Sequence, residues 1–567
     1  MIQDASVVDF DIKNYAFSES DVKKIEDIPY VKNSYPLVYI LNNSDKRIAY
    51  VGESTNAYKR IQNHLSNPKR DVLEALLLIT SEKFNKSATL DIEAKLIKYM
   101  SADGSFKLQN GNAGLSGHNY YQMDMYDHIF KEIWSKLKAD EFVNKTIPQI
   151  ENTNLFKYSP YKSLSPDQHQ SVLEILTEIN KKVKSTLFVS GVAGTGKSVL
   201  ATYLMKLMHS SDDDLEPRSD ETEHIREIDL VKSFKKKYES PKVGLVIPMT
   251  SLRQTLSKVF KSVDGLSANM ILSPVDVSKE KYDILLVDEA HRLAKRKNIV
   301  NYKSFDDANK RLGFPKGTNQ LEWLLKQSNH QILFYDSNQS VKPADISKLK
   351  FDKLLQGTNA KKIELKSQMR VEGGTDYINF VDRLLNNRLN DDEKFESENY
   401  DLKIFESFDE LLGEIDEKED EFGLCRKVAG YSWNWVTKGE PINSDKFDIE
   451  IEGHKFKWNT DTKDWVTSEN ARNEIGCIHT TQGYDLNYTA VIFGDEIKFN
   501  PDTNKIIIEK DNYFDRNGKA GIKDPELLKN YIINIYKTLM FRGIKGTYVY
   551  VCDSELKKYL KKHIQVY

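Results

Sequence analysis

The sequence predicts an α/β protein in which a small α/β domain precedes parallel α/β layers. Three observations carry that expectation. From about residue 165 to the C-terminus, strand-like apolar runs alternate with helix-like runs, the pattern of parallel sheets covered by helices. Residues 191–198, GVAGTGKS, follow the apolar run Leu187–Val189 and precede VLATYLMKLM, so a glycine-rich turn joins a strand to a helix. A compact segment of about 110 residues, from roughly 35 to 145, is set off by the polar stretch KTIPQIENTNLFKYSPYKSLSPDQ with its three prolines.

These signals divide the chain into an N-terminal extension (1–34), a first domain (35–145), a linker (146–164) and two lobes (165–360 and 361–567). Residues 209–242 and 294–320 read as charged insertions, and the acidic run 409–421 as an exposed helix face. With 39% apolar and 29% charged residues, each domain has material for a core of its own. The net charge of −3 excludes a global attraction to nucleic acid or to an anionic membrane, so any basic surface must be local. Cys425, Cys477 and Cys552 are far apart and lack metal spacing, which fits a reducing compartment. The first residues are acidic without an apolar core, unlike a signal peptide. Stretches such as Leu76–Ile79 are too short to span a bilayer. A cytoplasmic protein with no membrane partner is expected.

The GVAGTGKS turn has the spacing of a phosphate-binding loop. Gly191, Gly194 and Gly196 let backbone N–H groups turn inward around a polyphosphate. Lys197 can reach the β/γ-phosphates of ATP, and Ser198 can hold Mg²⁺. Residues 284–289, ILLVDE, read as a buried strand ending in two carboxylates: Asp288 for the metal and Glu289 for the attacking water. Further elements follow in order. SPDQ offers Gln168 to adenine, and GLVIPMTSL at 244–252 offers Thr250 and Ser251 to a nucleic-acid backbone. ILFYDSNQ places Asp336 and Gln339 where a γ-phosphate can be sensed; ELKSQMR supplies Arg370, GCIHTTQGYD holds Thr480 to Gly483, and YKTLMFRGIKG supplies Arg542.

In order and spacing these motifs resemble superfamily 1 helicases, and still more the helicase-like domain related to Schlafen proteins. The GYSWNW segment at 430–435, Trp458–Asn459, the TTQG block and the FRGIKG block are the shared features. The resemblance spans about 165–565 and implies two RecA-like parallel α/β lobes with ATP between them. It implies that Arg370 and Arg542 act as arginine fingers and that Gln482 and Gly483 join the nucleotide site. Phe541 replaces the usual Thr and Asp485 the usual Glu, leaving the key Arg and Gln in place.

In the first domain, LVYIL and RIAYVGES read as a hairpin carrying Tyr39 and Tyr50. The helix after it bears Arg60 and His64 four residues apart on one face; a later helix carries Glu93, and LQNGNAG presents Asn110. The set resembles GIY-YIG nucleases over roughly 35–115, with Leu37 and Val38 in place of the family's first Gly and Ile. Glu93 can bind one divalent ion on the scissile phosphate, and a tyrosine (Tyr39 or Tyr50) can act as or orient a general base. Arg60 can neutralise developing charge and His64 can assist proton movement.

For nucleic-acid contact the candidates are the residues Arg292, Lys295, Arg296, Lys297, Tyr302, Lys303, Lys310 and Arg311, with Trp433, Trp435, Trp458 and Trp465 for base stacking. The whole reads as an ATP-dependent helicase or translocase joined to a Mg²⁺-dependent endonuclease, acting on DNA rather than RNA. The alternatives are an ATP-gated binding switch that does not unwind, and an RNA-directed nuclease. Resemblance alone places it in prokaryotic DNA processing or defence against foreign DNA.

Overall fold

The computed structural model describes residues 10–110, 120–161, 164–211, 215, 222–336, 339–368, 371–391, 393–441, 444–461, 465–481 and 483–567. Two compact units emerge. The first joins 1–181 to 198–240 and 256–270; the second joins 182–197 to 241–255 and 271–567.

The first unit holds a five-stranded sheet ordered β1-β4-β2-β3-β5, from β1 (Asp11–Ala16), β2 (Leu37–Asn43), β3 (Ile48–Ser54), β4 (Ala75–Thr80) and β5 (Lys107–Leu108). The first four pair antiparallel and β5 runs parallel to β3. The polar turn after β2 reverses the chain because Asn43 Oδ1 accepts from the Lys46 N–H at 2.9 Å. That hairpin sets Tyr39 opposite Gly52 and Leu41 opposite Tyr50. A Cβ at Gly52 would fall 2.4 Å from the Tyr39 hydroxyl, so a side chain here would push the buried Tyr39 ring out of place. Phe17, Val22, Ile25 and Val31 join the core of Leu37, Tyr39, Leu41 and Ile61. The segment expected as an extension therefore contributes an edge strand and core to the sheet. Helix α1 (Ala57–Leu65) is capped by Asn56, and α2 (Lys86–Asp103) by Asn85, ending on Gly104 at φ +79°. Also in this unit are α3 (Pro166–Lys181), the bulk of α4 (Lys197–Met208) and α5 (Thr222–Lys237). A buried pair holds them together: His169 Nε2 lies 3.0 Å from Glu227, which also accepts from the Tyr203 hydroxyl.

The second unit contains two parallel sheets. The six-stranded one is ordered β11-β6-β10-β9-β7-β8, from β6 (Ser185–Ser190), β7 (Val243–Val246), β8 (Ile271–Leu272), β9 (Tyr282–Val287), β10 (Ser328–Tyr335) and β11 (Ala360–Glu364). Its central strands carry buried apolar runs, Leu187–Val189, Ile284–Val287 and Ile332–Phe334, as a sheet covered on both faces requires. Strand β11 runs past the expected lobe boundary at 360, so residues to Glu364 belong with the first sheet. The five-stranded sheet is ordered β13-β16-β19-β12-β20, from β12 (Asp401–Ile404), β13 (Arg426–Ala429), β16 (Leu486–Phe493), β19 (Gly543–Val551) and β20 (Gln565–Val566). Hairpins β14 (Ile449–Ile451)–β15 (His454–Phe456) and β17 (Ile497–Asn500)–β18 (Lys505–Ile508) stand apart from it. Helix α6 (Thr250–Ser262), of which the residues to Thr255 belong to this unit and the rest to the first, starts where the backbone-contact motif was read. The acidic run forms α7 (Phe408–Phe422), which buries Phe408, Leu411 and Ile415. Helix α8 (Pro525–Met540), capped by Asp524 with Pro at its first position, stacks Tyr536 on Phe493 at 4.2 Å and leads directly to Arg542. Among the described residues no helix is long and apolar enough to cross a membrane.

Candidate functional site

In the first unit the hairpin, α1 and α2 bring five of the predicted nuclease side chains together. The Tyr39 hydroxyl lies 2.9 Å from His64 Nε2. The Tyr50 ring centroid is 4.8 Å from that of His64 and 6.3 Å from that of Tyr39. Burial pushes the Tyr39 phenol well above its usual range; Tyr50 and Glu93 add to this, and Arg60 opposes it. Burial works against the Arg60 charge, yet its contacts with Tyr50 and Tyr39 hold it above the ordinary arginine value. Glu93 is 4% exposed on α2. Asn110, the sixth, is placed by its side chain against Val51. Its amide donates to the Val51 carbonyl at 2.8 Å and accepts from the Val51 N–H at 3.1 Å, so it fixes the strand that carries Tyr50. No group of three or more His, Cys, Asp or Glu able to hold a metal occurs among the described residues. The donor set at Glu93 still suits Mg²⁺, which binds through one or two carboxylates and takes water and phosphate oxygens for the rest.

The second unit gathers the nucleotide motifs. Gly194 (φ +86°) and Gly196 (φ +74°) turn the loop, and Lys197 Nζ donates to the carbonyls of Gly191 (2.7 Å) and Val192 (2.9 Å). Lys197 also stands 3.9 Å from Asp336, whose carboxylate accepts from Gln339 at 2.7 Å. Asp288, 1% exposed, accepts from the Glu289 N–H at 3.0 Å. Glu289 sits at φ +51° and faces His291 at 3.0 Å without hydrogen-bond alignment. Burial disfavours the charged carboxylate, but the neighbouring His291, Lys197 and Arg542 outweigh this and keep it ionised well below the usual range. Thus Arg542, on the second sheet's side, acts on the same carboxylate as the loop lysine. It is 2% exposed and donates to the carbonyls of Thr538 and Tyr484.

Other predicted residues are placed as follows. Gln168, in the first unit, accepts from the Ser165 N–H at 3.0 Å and so caps α3. Ser198 follows Lys197 in α4. Gly483 has φ +89° beside Met249 and Leu252. Thr480 is held by Asn459 and Cys477, and Thr481 donates to the Cys477 carbonyl at 2.8 Å. Arg370 and Gln482 lie outside the described residues. Gln368 was missed by sequence reasoning: its amide donates to the Ala193 carbonyl at 2.7 Å, and a Cβ at Gly194 would meet its Oε1 at 2.0 Å. Its place two residues before Arg370 was the available signal.

Comparison with known proteins accords with this geometry. The Schlafen group 3 DNA/RNA helicase domain matches residues 184–553. The chain belongs to this helicase-domain family. The same chain matches the GIY-YIG catalytic domain over residues 35–105. The uncharacterized protein YPL245W of Saccharomyces cerevisiae is 28% identical over 407 residues, spanning 66% of this chain and 83% of that one. The crystal structure of Bacteroides sp Pif1 in complex with ADP-AlF4 aligns at 11% identity and a TM-score of 0.20, over 44% of this chain and 56% of that one. This chain therefore covers just over half of that protein's length. Mss116p bound to ssRNA and AMP-PNP aligns at 12% identity and a TM-score of 0.32, over 76% and 79% of the two chains.

The helicase domain also carries an aromatic cleft of about 640 Å³, lined by Val300, Lys342, Trp433, Trp435, Phe514 and Arg516 among others. Lys438 Nζ lies 5.2 Å from the Trp435 ring centroid. Two of the four predicted stacking tryptophans are thus at a surface. The other two are not: Trp458 is fully buried and Trp465 is 1% exposed, its indole N–H donating to Glu474. Arg292 is likewise withdrawn from the expected channel, 6% exposed and 3.6 Å from Asp345. Arg296 pairs with Asp306, and Arg311 donates to Ser278. Type alone does not separate a stacking tryptophan from a core one; packing partners decide it.

Proposed function

We propose that this protein is an ATP-driven nucleic-acid helicase or translocase whose GIY-YIG domain cuts phosphodiester bonds with Mg²⁺, on DNA in preference to RNA. The observation that carries the reading is the loop lysine Lys197 standing 3.9 Å from Asp336, which also holds Gln339, in the same unit as the Asp288–Glu289 pair that ends β9. Glu289, held ionised, orients the attacking water through its carboxylate oxygens. Lys197 and Arg542 meet the negative charge that grows on the transferring phosphoryl group, and Arg370 adds to them. Asp288 would hold Mg²⁺ beside the β/γ-phosphates; Ser198 is offered the same role by its place after Lys197 in the loop motif.

In the nuclease pocket, Glu93 would hold the ion that polarises the scissile phosphate. Arg60 neutralises charge on that phosphate, while the Tyr39–His64 pair hands a proton along its 2.9 Å contact. The tryptophans and cations of the cleft suit an unpaired strand, since aromatic faces stack on any base and lysines follow the backbone. Prokaryotic DNA processing, including defence against foreign DNA, is the setting that suits this pairing of activities.

The test is a side-by-side measurement of ATP hydrolysis and cleavage on single-stranded DNA, double-stranded DNA and RNA, with Mg²⁺ and with EDTA. Stimulation by single-stranded DNA and Mg²⁺-dependent nicking are expected. Stimulation by RNA alone would replace the DNA assignment with an RNA one.

A further inference from the structure

We infer that Arg70 is a positioning residue of the cutting site, one that orients the ring of Tyr50 and acts through it; the inference rests on the nuclease reading above. Arg70 ends a single turn, Pro68–Arg70, that Asn67 caps, and it is 5% exposed. Its guanidinium carbon lies 4.0 Å from the centroid of the Tyr50 ring. Arg70 Nη1 donates to Gln109 Oε1 at 2.6 Å and approaches the Gln109 carbonyl at 3.5 Å. Gln109 in turn donates through Nε2 to the Lys69 carbonyl at 2.9 Å, so it brackets the arginine from both sides of the peptide.

The same short segment fixes the strand under Tyr50. The Gln109 N–H donates to the Ala49 carbonyl at 2.8 Å, and the Asn110 side chain holds both polar groups of Val51. Residues on either side of Tyr50 are thereby pinned through the backbone, and the ring itself is held between Arg70 and the imidazole of His64. Arg60 contacts the same tyrosine. Two guanidiniums and one imidazole therefore converge on Tyr50.

Filling this space does not require a cation. A Leu or Met beside the ring would pack there without the cost of taking a guanidinium out of water. What an apolar side chain does not supply is a fixed charge over the aromatic face, which attracts the ring and sets its tilt. The tilt sets where the Tyr50 hydroxyl and the Arg60 guanidinium meet the substrate, and misplacement by about 1 Å is enough to slow a positioned reaction on the order of a hundredfold.

The experiment is steady-state cleavage of plasmid DNA with Mg²⁺ by the full chain and by Arg70→Met, Arg70→Lys and Gln109→Leu, with ATP hydrolysis by the same preparations as the control for folding. Arg70→Met is expected to lower kcat on the order of tenfold to a hundredfold with KM within about twofold. Arg70→Lys, or millimolar guanidinium added to Arg70→Met, should restore part of the loss. Gln109→Leu, which keeps the arginine but frees its anchor, should give a smaller loss of kcat and decides the matter if Arg70→Met fails to fold. A wild-type protein that cuts while Arg70→Met or a folded Gln109→Leu cuts equally fast overturns the inference alone. A rise in KM with kcat unchanged also overturns it, because it would make Arg70 a binding contact. A wild type that cuts nothing overturns the nuclease reading and this inference with it.

Discussion

The nuclease pocket and the nucleotide site use their hydrogen-bonding capacity in opposite ways. In the pocket, Tyr39 is bonded to His64 and Asn110 is committed to Val51, so folding alone sets the geometry. In the nucleotide site, Glu289 Oε2, both nitrogens of His291 and Gln339 Oε1 are buried without a hydrogen-bond partner. Leaving such groups unpaired is costly, so their persistence marks a place shaped for something other than stability. The contrast teaches that the two halves differ in what completes them. The nuclease-like pocket is assembled by its own strands and helices; the phosphate-loop site holds buried polar groups that its own side chains leave unpaired.

The widest test of that contrast separates the two activities. Glu93→Ala is expected to abolish cutting and spare ATP hydrolysis, and Lys197→Ala to abolish ATP hydrolysis and spare the pocket. Plasmid nicking and phosphate release measure both, and unchanged nicking by Glu93→Ala would remove its metal role. Next in size is Arg542→Ala, expected to lower ATP turnover by about 10³–10⁵, as loss of an arginine finger does. Its buried bonds to Thr538 and Tyr484 make a thermal melt the necessary companion.

A third test concerns stability and pH. Burial pushes the Glu496 carboxyl up from 4.5 to about 7, against the pull of its bonds with Tyr536 and Ser432. The folded chain therefore keeps a proton that the unfolded chain has released. Its stabilising effect is full below about pH 4.5, falls as pH rises, and is gone above about 7, a change on the order of 3 kcal/mol. Denaturant melts between pH 5 and 8 should show this slope, and Glu496→Gln should flatten it. Smaller again is Asn110→Ala, which strands two Val51 groups and should cost roughly 1–3 kcal/mol of stability. If it costs nothing, the pocket is not held by its own bonds and the comparison fails. Trp433→Ala should weaken binding of single strands by about 1–3 kcal/mol with little change in melting.

The elements legible in sequence are those that local spacing defines. The GVAGTGKS turn, the VDE strand end and the pair Arg60 and His64 each need only a few neighbouring positions to define them. What escaped depends on distant pairing. β1 reads as a polar stretch until β4 lies beside it, and β11 joins the first sheet only through β6. Arg70 gains meaning only when Tyr50 is under it, and Gln368 only when Gly194 is. Trp458 and Trp465 look the same in sequence as Trp433 and Trp435, but they are buried and the latter pair lines the cleft.

Within the first unit, β5 is joined to the helicase part of the chain. Lys107 forms an ion pair with Asp264 at 2.9 Å, and the carbonyl of that same aspartate receives Lys206 of α4. Lys69 reaches Ser211 just beyond that helix. Inside this unit the small sheet is thus tied to α4 and its flanks by side-chain contacts, so severing the linker at 146–164 alone would leave the two pieces attached.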